Sequence, residues 1–225
     1  MKKMDVLGIS LTDYTLREAL KLTNEYMNNG ALNTVFYIST EILVEAGESP
    51  EQKNWLESMD MVVVGETDIL RASDNASRNR VHETENNDYI REFLHRLVRG
   101  QKTVFLLADN AEGVKKLQNG LLEREPDLQI IGSYSLSEVS GDLDFLINEI
   151  NDAAPSTIIS CLPYPLQPKL IHEQKMRMNA EIWVALLKDW NKNLKKPPFL
   201  MRISNNMYRQ IFRRRMKNYQ TEKAE

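Results

Sequence analysis

The chain has 225 residues, of which 42% are apolar and 27% charged, the composition of an ordinary globular protein. That length suits one well-cored domain. A single cysteine, Cys161, excludes an internal disulfide framework, and no apolar run approaches the roughly 18–20 residues of a membrane-spanning helix. The opening MKKMDVLGIS carries lysines but no apolar leader stretch, so a cytoplasmic protein is expected.

The net charge of −3 is unevenly spread. From Lys195 onward nine basic residues face two acids, a charge of +7; the preceding 194 residues hold 20 basic and 30 acidic residues, a charge of −10. A basic tail on an acidic body points to an anionic partner for the tail.

In chain order, Asp5 to Leu11 reads as a strand. Thr15 and Glu18 then have the spacing of a capping box, and Leu16, Ala19, Leu20 and Thr23 follow at helical period towards Gly30. Thr34–Ile38 reads as a strand, Glu41–Ala46 as the start of a helix, and Asp60–Val64 as a buried strand stopping at Gly65. A helical stretch begins at Thr67 and gives way to a polar loop at Asp74–Asn79. Asn86–Arg99 is amphipathic, with Ile90, Phe93, Leu94 and Leu97 on one face. Thr103–Ala108 reads as a strand, Asn110–Glu123 as a helix, Leu128–Ile131 as a strand and Gly141–Ile150 as a helix. Thr157–Cys161 is a further strand, after which Pro163, Pro165 and Pro168 predict an extended or turning loop. Glu181–Leu187 is the last strand. Pro197-Pro198 precedes a tail in which Met207, Tyr208, Ile211, Phe212, Met216 and Tyr219 fall at helical spacing.

Strands alternating with helices predict an α/β fold: a Rossmann-like, mostly parallel sheet sandwiched by helices, with a basic C-terminal helical tail. The expected division is an α/β domain over residues 1–196 and an appendage over 197–225.

Several segments in this order resemble the TagA/WecG/CpsF family of bacterial glycosyltransferases. They are Leu7-Gly8-Ile9 with Thr15–Leu20, Ser49-Pro50-Glu51 leading to Asp60–Val64, Val104–Leu107 with Gly113-Val114, and Leu128–Gly132. Pro165 with Gln167 and the arginine-rich tail from Tyr208-Arg209 complete the set. The resemblance implies transfer of an N-acetylmannosamine-like sugar from a UDP donor to an undecaprenyl-diphosphate-linked sugar. That reaction belongs to cell-envelope polysaccharide or teichoic acid synthesis at the inner face of the membrane. It implies substrate contacts at Tyr37, Ser39, Arg80 and Gln167, and at Arg209, Arg213 and Arg214, whose planar forks suit phosphate oxygens.

The departures from the family pattern fall where chemistry is expected. Gly65 stands at the place of the family's general-base aspartate, which leaves Glu66 and Asp68 as candidate catalytic carboxylates. Tyr37-Ile38-Ser39 replaces a Thr-x-Asn segment, Ala108-Asp109 a glycine pair, Cys161–Tyr164 a Gly-Leu-Gly-Ser stretch, and Leu186–Trp190 a Gly-Gly-Ser-Phe-Asp stretch. Glycine loops let backbone N–H groups approach a diphosphate, and these substitutions remove donors or add bulk. The alternative function is therefore a catalytically degenerate relative serving as a partner-binding or regulatory subunit.

Structural readings compete at each site. Glu66 and Asp68 fit helix capping beside Thr67, Gln167 a turn between prolines, and Arg80 a solvated loop. His82, His95 and His172 have no metal-ligand spacing, so neither a metal nor a cofactor is expected. Cys161 reads as a small buried residue and Trp183 as core; packing is also the simpler role for Trp55 and Trp190. The tail fits an anionic membrane or lipid diphosphate, or a protein contact that includes a second copy of the chain. The acidic body and the lack of a base-reading module argue against nucleic acid.

Overall fold

The structure is a computed structural model that describes residues 2–73, 76–138, 143–191 and 199–224, without the side chains of 138, 199–206 and 224. Its first element corrects the single strand expected over Asp5–Leu11. Lys2–Val6 (β1) and Ile9–Asp13 (β2) pair antiparallel, with Val6 opposite Ile9. The two turn residues, Leu7 and Gly8, have φ of 53° and 74°. Positive φ at both central positions is the hairpin geometry that matches the natural strand twist, and glycine adopts it without strain. Leu-Gly is a weak form of that signal, and continuous alternation masked it.

Leu16–Tyr26 (α1) starts with the expected capping box: Thr15 accepts from the Glu18 N–H, and the Glu18 carboxylate accepts from the Thr15 N–H at 3.0 Å. The helix ends before Gly30. Asn28 donates to the Asn24 carbonyl and Asn29 to Asn33, so asparagine side chains compete for the backbone and close the helix early.

Six parallel strands form the main sheet: Asn33–Ile38 (β3), Met61–Val64 (β4), Thr103–Ala108 (β5), Gln129–Ser135 (β6), Thr157–Cys161 (β7) and Ile182–Ala185 (β8). Their order is β4-β3-β8-β7-β5-β6. Side chains alternate between two buried faces, as a sheet covered on both sides requires. Phe36, Ile38, Phe105, Leu107, Trp183 and Ala185 enter one core; Val35, Tyr37, Val104, Leu106, Ile182 and Val184 enter the other. The expected α/β sandwich is present.

The first face is covered by Thr40–Ala46 (α2), Thr67–Ala72 (α4), Asp144–Ala153 (α8), Leu166–Gln174 (α9) and Phe199–Ala224 (α10), with Pro50–Glu57 (α3) beside them. The second face carries α1, Asp88–Arg99 (α6) and Ala111–Leu122 (α7). Arg78–Glu85 (α5) precedes α6, so Asn79, expected in a loop, is helical; Ser77 caps it by accepting from the Arg80 N–H at 3.3 Å. Asp74, Asn75, Gly141 and Pro197-Pro198, and with the last the expected domain boundary, lie outside the described residues.

A second correction concerns the proline segment. The residues after Pro165 form α9, with Pro168 in its first turn, where a missing N–H leaves no helical bond unmade. The tail is one 26-residue helix, α10. Its stripe places Phe212 and Met216 in the first core, while Met207 is 52% exposed. Burying one such side chain is worth roughly 1.5–3 kcal/mol, so α10 is held by packing as well as charge.

Candidate functional site

Crossovers leave β5 and β7 in opposite directions: α7 leads outward to β6 on one face, and α9 leads back to β8 on the other. Such a switch opens a crevice at the carboxyl ends of the strands, where parallel sheets hold ligands. The two cavities at the strand ends, of about 310 and 200 Å³, lie beside that switch, over the ends of β3, β4, β7 and β8. Ser39, Tyr164, Gln167 and Lys188 line the larger; Tyr37, Gly65, Trp190 and Arg209 line the smaller. Glu66, Leu187 and Asp189 belong to both.

Gly65 continues the ladder beyond β4, its N–H donating to the Ile38 carbonyl at 2.9 Å. A Cβ there would stand 2.6 Å from Leu187 Cδ1 and 3.0 Å from the Ile38 oxygen. Leu187 thus fills the space that a side chain at position 65 would need.

The next residue, Glu66, precedes α4 without capping it. Its carboxylate reaches across to α2 and accepts from Thr40 Oγ1 at 2.7 Å and the Thr40 N–H at 3.2 Å. Both bonds are to Oε2. Ser39 caps the same helix, accepting from the Ile42 N–H at 3.3 Å. Strand ends β3 and β4 therefore place Ser39 and Glu66 together on the cleft wall.

Asp68 turns the other way. It is buried and bound by two arginines of α10: Arg209 Nε lies 3.2 Å from Oδ2, and Arg213 donates to Oδ1. The tail is further tied by Arg215 to the Val44 carbonyl, Tyr208 to Glu45, and Tyr219 and Lys223 to Asp5. Of the tail arginines, Arg209 borders the cleft, while Arg213 and Arg214 are exposed outside both cavity walls.

Gln167 is buried, and its amide bonds within the fold. Oε1 accepts from Ser160 Oγ at 3.0 Å and the Leu162 N–H at 2.9 Å; Nε2 donates to the Leu186 carbonyl at 3.0 Å. Ser160 Oγ in turn accepts from Trp183 Nε1 at 2.9 Å. This network ties the loops after β7 and β8 to α9, and so shapes the larger cavity.

Arg80 lies in α5 rather than in a loop, with its side chain only 11% exposed. It donates to Asp13 from Nε and Nη2 and to Glu83 from Nη1. Burial alone would lower its pKa, but the two carboxylates outweigh that and raise it. Arg80 lines a further recess of about 30 Å³ that shares Tyr37, Thr84 and Asn87 with the smaller cavity.

Tyr37 lines both this recess and the smaller cavity, its ring 6.2 Å from that of Tyr89. Burial and the neighbouring phenol push its pKa well above the ordinary value, so it stays a neutral hydroxyl. Burial likewise pushes the Cys161 thiol up to about 12.

Glu66, Tyr37 and Arg209 thus meet on one cleft, and Ser39 and Gln167 on its continuation. Sequence reasoning missed Thr40, which anchors Glu66, and Thr84 and Asn87, which wall the cleft beside Tyr37. No spacing or charge pattern marks these three. Among the described residues no three His, Cys, Asp or Glu side chains group to hold a metal ion.

The arrangement is that of a Rossmann-like α/β protein with a cleft at the carboxyl ends of its strands. Residues 4–203 match the Glycosyl transferase WecG/TagA/CpsF family, and the chain belongs to that family. No curated protein matches the sequence. Among the described residues no helix is long and apolar enough to cross a membrane.

Proposed function

We propose that the protein transfers an N-acetylmannosamine-like sugar from a UDP donor to a lipid-diphosphate-linked acceptor in cell-envelope polysaccharide or teichoic acid synthesis. The carrying observation is Glu66, a carboxylate common to both cavities and anchored through one oxygen by Thr40. Asp68 has no comparable role, because two arginines bind it away from the cleft.

In this mechanism Glu66 takes the proton of the acceptor hydroxyl. The freed oxygen attacks the anomeric carbon, the bond to the diphosphate breaks, and UDP leaves with the electron pair. A single displacement inverts the sugar. Arg209 beside the cleft would meet negative charge building on the leaving group. The exposed Arg214 and Lys217 would face the anionic lipid surface that holds the acceptor, each contributing about 1 kcal/mol. The protein would then work as a peripheral protein at the inner membrane face.

The Gly65–Leu187 contact favours a second reading, a degenerate relative that binds a partner protein or a second copy of itself. Calorimetry with UDP-N-acetylmannosamine and a turnover assay separate the two. The transferase reading expects binding in the micromolar range, turnover by the wild type, and Glu66→Gln that binds but turns over at least 100-fold more slowly. Absence of binding to any UDP-sugar would sink it and leave the partner-binding reading.

A further inference from the structure

The loop after β8 brings to the cleft a charge that the proposed mechanism does not use. That loop is held at both ends. Leu186 donates its N–H to the Ser160 carbonyl at 2.8 Å, and its own carbonyl accepts from Gln167 Nε2 at 3.0 Å. The buried Trp190 donates its N–H to the Leu187 carbonyl at 3.0 Å, and Asn87 Nδ2 donates to the Trp190 carbonyl at 3.0 Å. Between these anchors stands Lys188, an exposed side chain that lines the 310 Å³ cavity.

Lys188 is the one cationic residue lining that cavity, and among the described residues it has neither a hydrogen bond nor an ion pair. The carboxylates of the same wall are engaged elsewhere. Glu66 accepts twice from Thr40, and Glu41 and Asp189 each have partners in the fold. The ammonium also stands near the switch between β5 and β7. Burial sets the high pKa of Cys161 at the end of β7, Asp109 adds to it, and Lys188 acts against both. An exposed ammonium stays solvated, so nothing in the fold uses this charge and it is available to a ligand.

We propose that Lys188 is the phosphate-binding residue of the larger cavity. The assignment rests on the proposed transfer, in which the nucleotide donor and the lipid-linked acceptor each carry a diphosphate. Arg209 lines the smaller cavity and is already bound to Asp68, whereas Lys188 gives the larger cavity a charge that no described residue pairs. Lysine meets phosphoryl oxygens as a point charge on a flexible stem, without the fork geometry that arginine requires.

Calorimetry on the full chain tests the site in Lys188→Met and Lys188→Arg, with UDP and with geranyl diphosphate as a short, soluble lipid diphosphate. Lys188→Met is expected to weaken at least one of the two about tenfold or more, the effect of one charge-assisted hydrogen bond, and Lys188→Arg to stay within about threefold of the wild type. A loss for UDP assigns the contact to the donor, and a loss for geranyl diphosphate assigns it to the acceptor. Both variants are expected to keep the wild-type urea midpoint, and a lower midpoint in Lys188→Met would make the lysine structural and overturn the site. Wild-type affinity for both diphosphates in Lys188→Met, or equal losses in the two variants, overturn it while the transferase reading stands. If the wild type binds neither diphosphate the site fails too, and absence of binding to any UDP-sugar is the separate result that sinks the transferase reading.

Discussion

Leu187 Cδ1 lies 2.6 Å from the point where residue 65 would carry a Cβ, so the loop after β8 fills the space beside Gly65. Glycine and leucine are matched to each other here, since any side chain at position 65 would collide with Leu187. Tyr37 Cδ1, 3.6 Å from the same point, completes the enclosure. Leu187 and Tyr37 together leave no room for a longer side chain at position 65.

Gly65→Ala should destabilise the fold by about 1–3 kcal/mol, the usual range for overpacking. Adding Leu187→Ala should recover part of that loss, because it removes the nearer clash while the Ile38 carbonyl remains 3.0 Å away. Urea unfolding of both single variants and the double would show a coupling of at least 0.5 kcal/mol. Strict additivity would mean that Leu187 moves aside freely.

Gln167→Ala is expected to act through stability first. It removes the acceptor of the Ser160 hydroxyl and the Leu162 N–H and the side-chain donor to the Leu186 carbonyl, while Ser160 Oγ keeps its bond from Trp183. One unsatisfied buried group costs about 1–3 kcal/mol, so a loss of about 2–4 kcal/mol is expected by denaturant titration. A loss of ligand affinity in a variant with unchanged unfolding would instead give Gln167 a direct contact.

Much of the framework was legible in the sequence because its signals are local. The continuous apolar run within Thr103–Ala108 and the Thr15–Glu18 box each fix their own element. The site was less legible, because its geometry depends on contacts across the fold. Nothing local distinguishes Glu66 from Asp68, two residues apart; one reaches α2 and the other the tail. Arg80 reads as a loop arginine until Asp13, 67 residues away, is brought beside it. Pro168 masked α9 because a first-turn proline resembles a loop proline until the helix start is known.

The Cys161 thiol should be nearly inert. Burial, with the Asp109 charge adding to it, raises its pKa from 9.0 to about 12. Thiolate is the reactive form, so iodoacetamide at pH 8 should label the native protein at least 100-fold more slowly than the urea-unfolded chain. The unfolded chain releases this proton at lower pH than the fold. The stabilising contribution is thus full below pH 9 and lost progressively between about pH 9 and 12. Cys161→Ala should flatten that part of the stability profile, which a pH series of urea titrations would read.

The attachment of α10 yields the last expectation. Asp68 is 4% exposed, whereas the Arg209 and Arg213 side chains are 40% and 64% exposed. Breaking a fully buried pair costs about 3–5 kcal/mol, but solvent around the arginines weakens this one, so Asp68→Ala should cost about 1–3 kcal/mol. Phe212 and Met216 remain in the core, so the helix should stay docked at its centre and loosen near Arg209. Hydrogen exchange would show faster exchange around residues 207–213 and little change around 214–218. Deleting the tail would expose that core and confuse lost packing with lost charge. Charge reversal at the exposed Arg214 and Lys217 is the cleaner probe of membrane docking. It should reduce pelleting with anionic vesicles while the unfolding midpoint stays fixed, and unchanged pelleting would remove these two residues from the membrane surface.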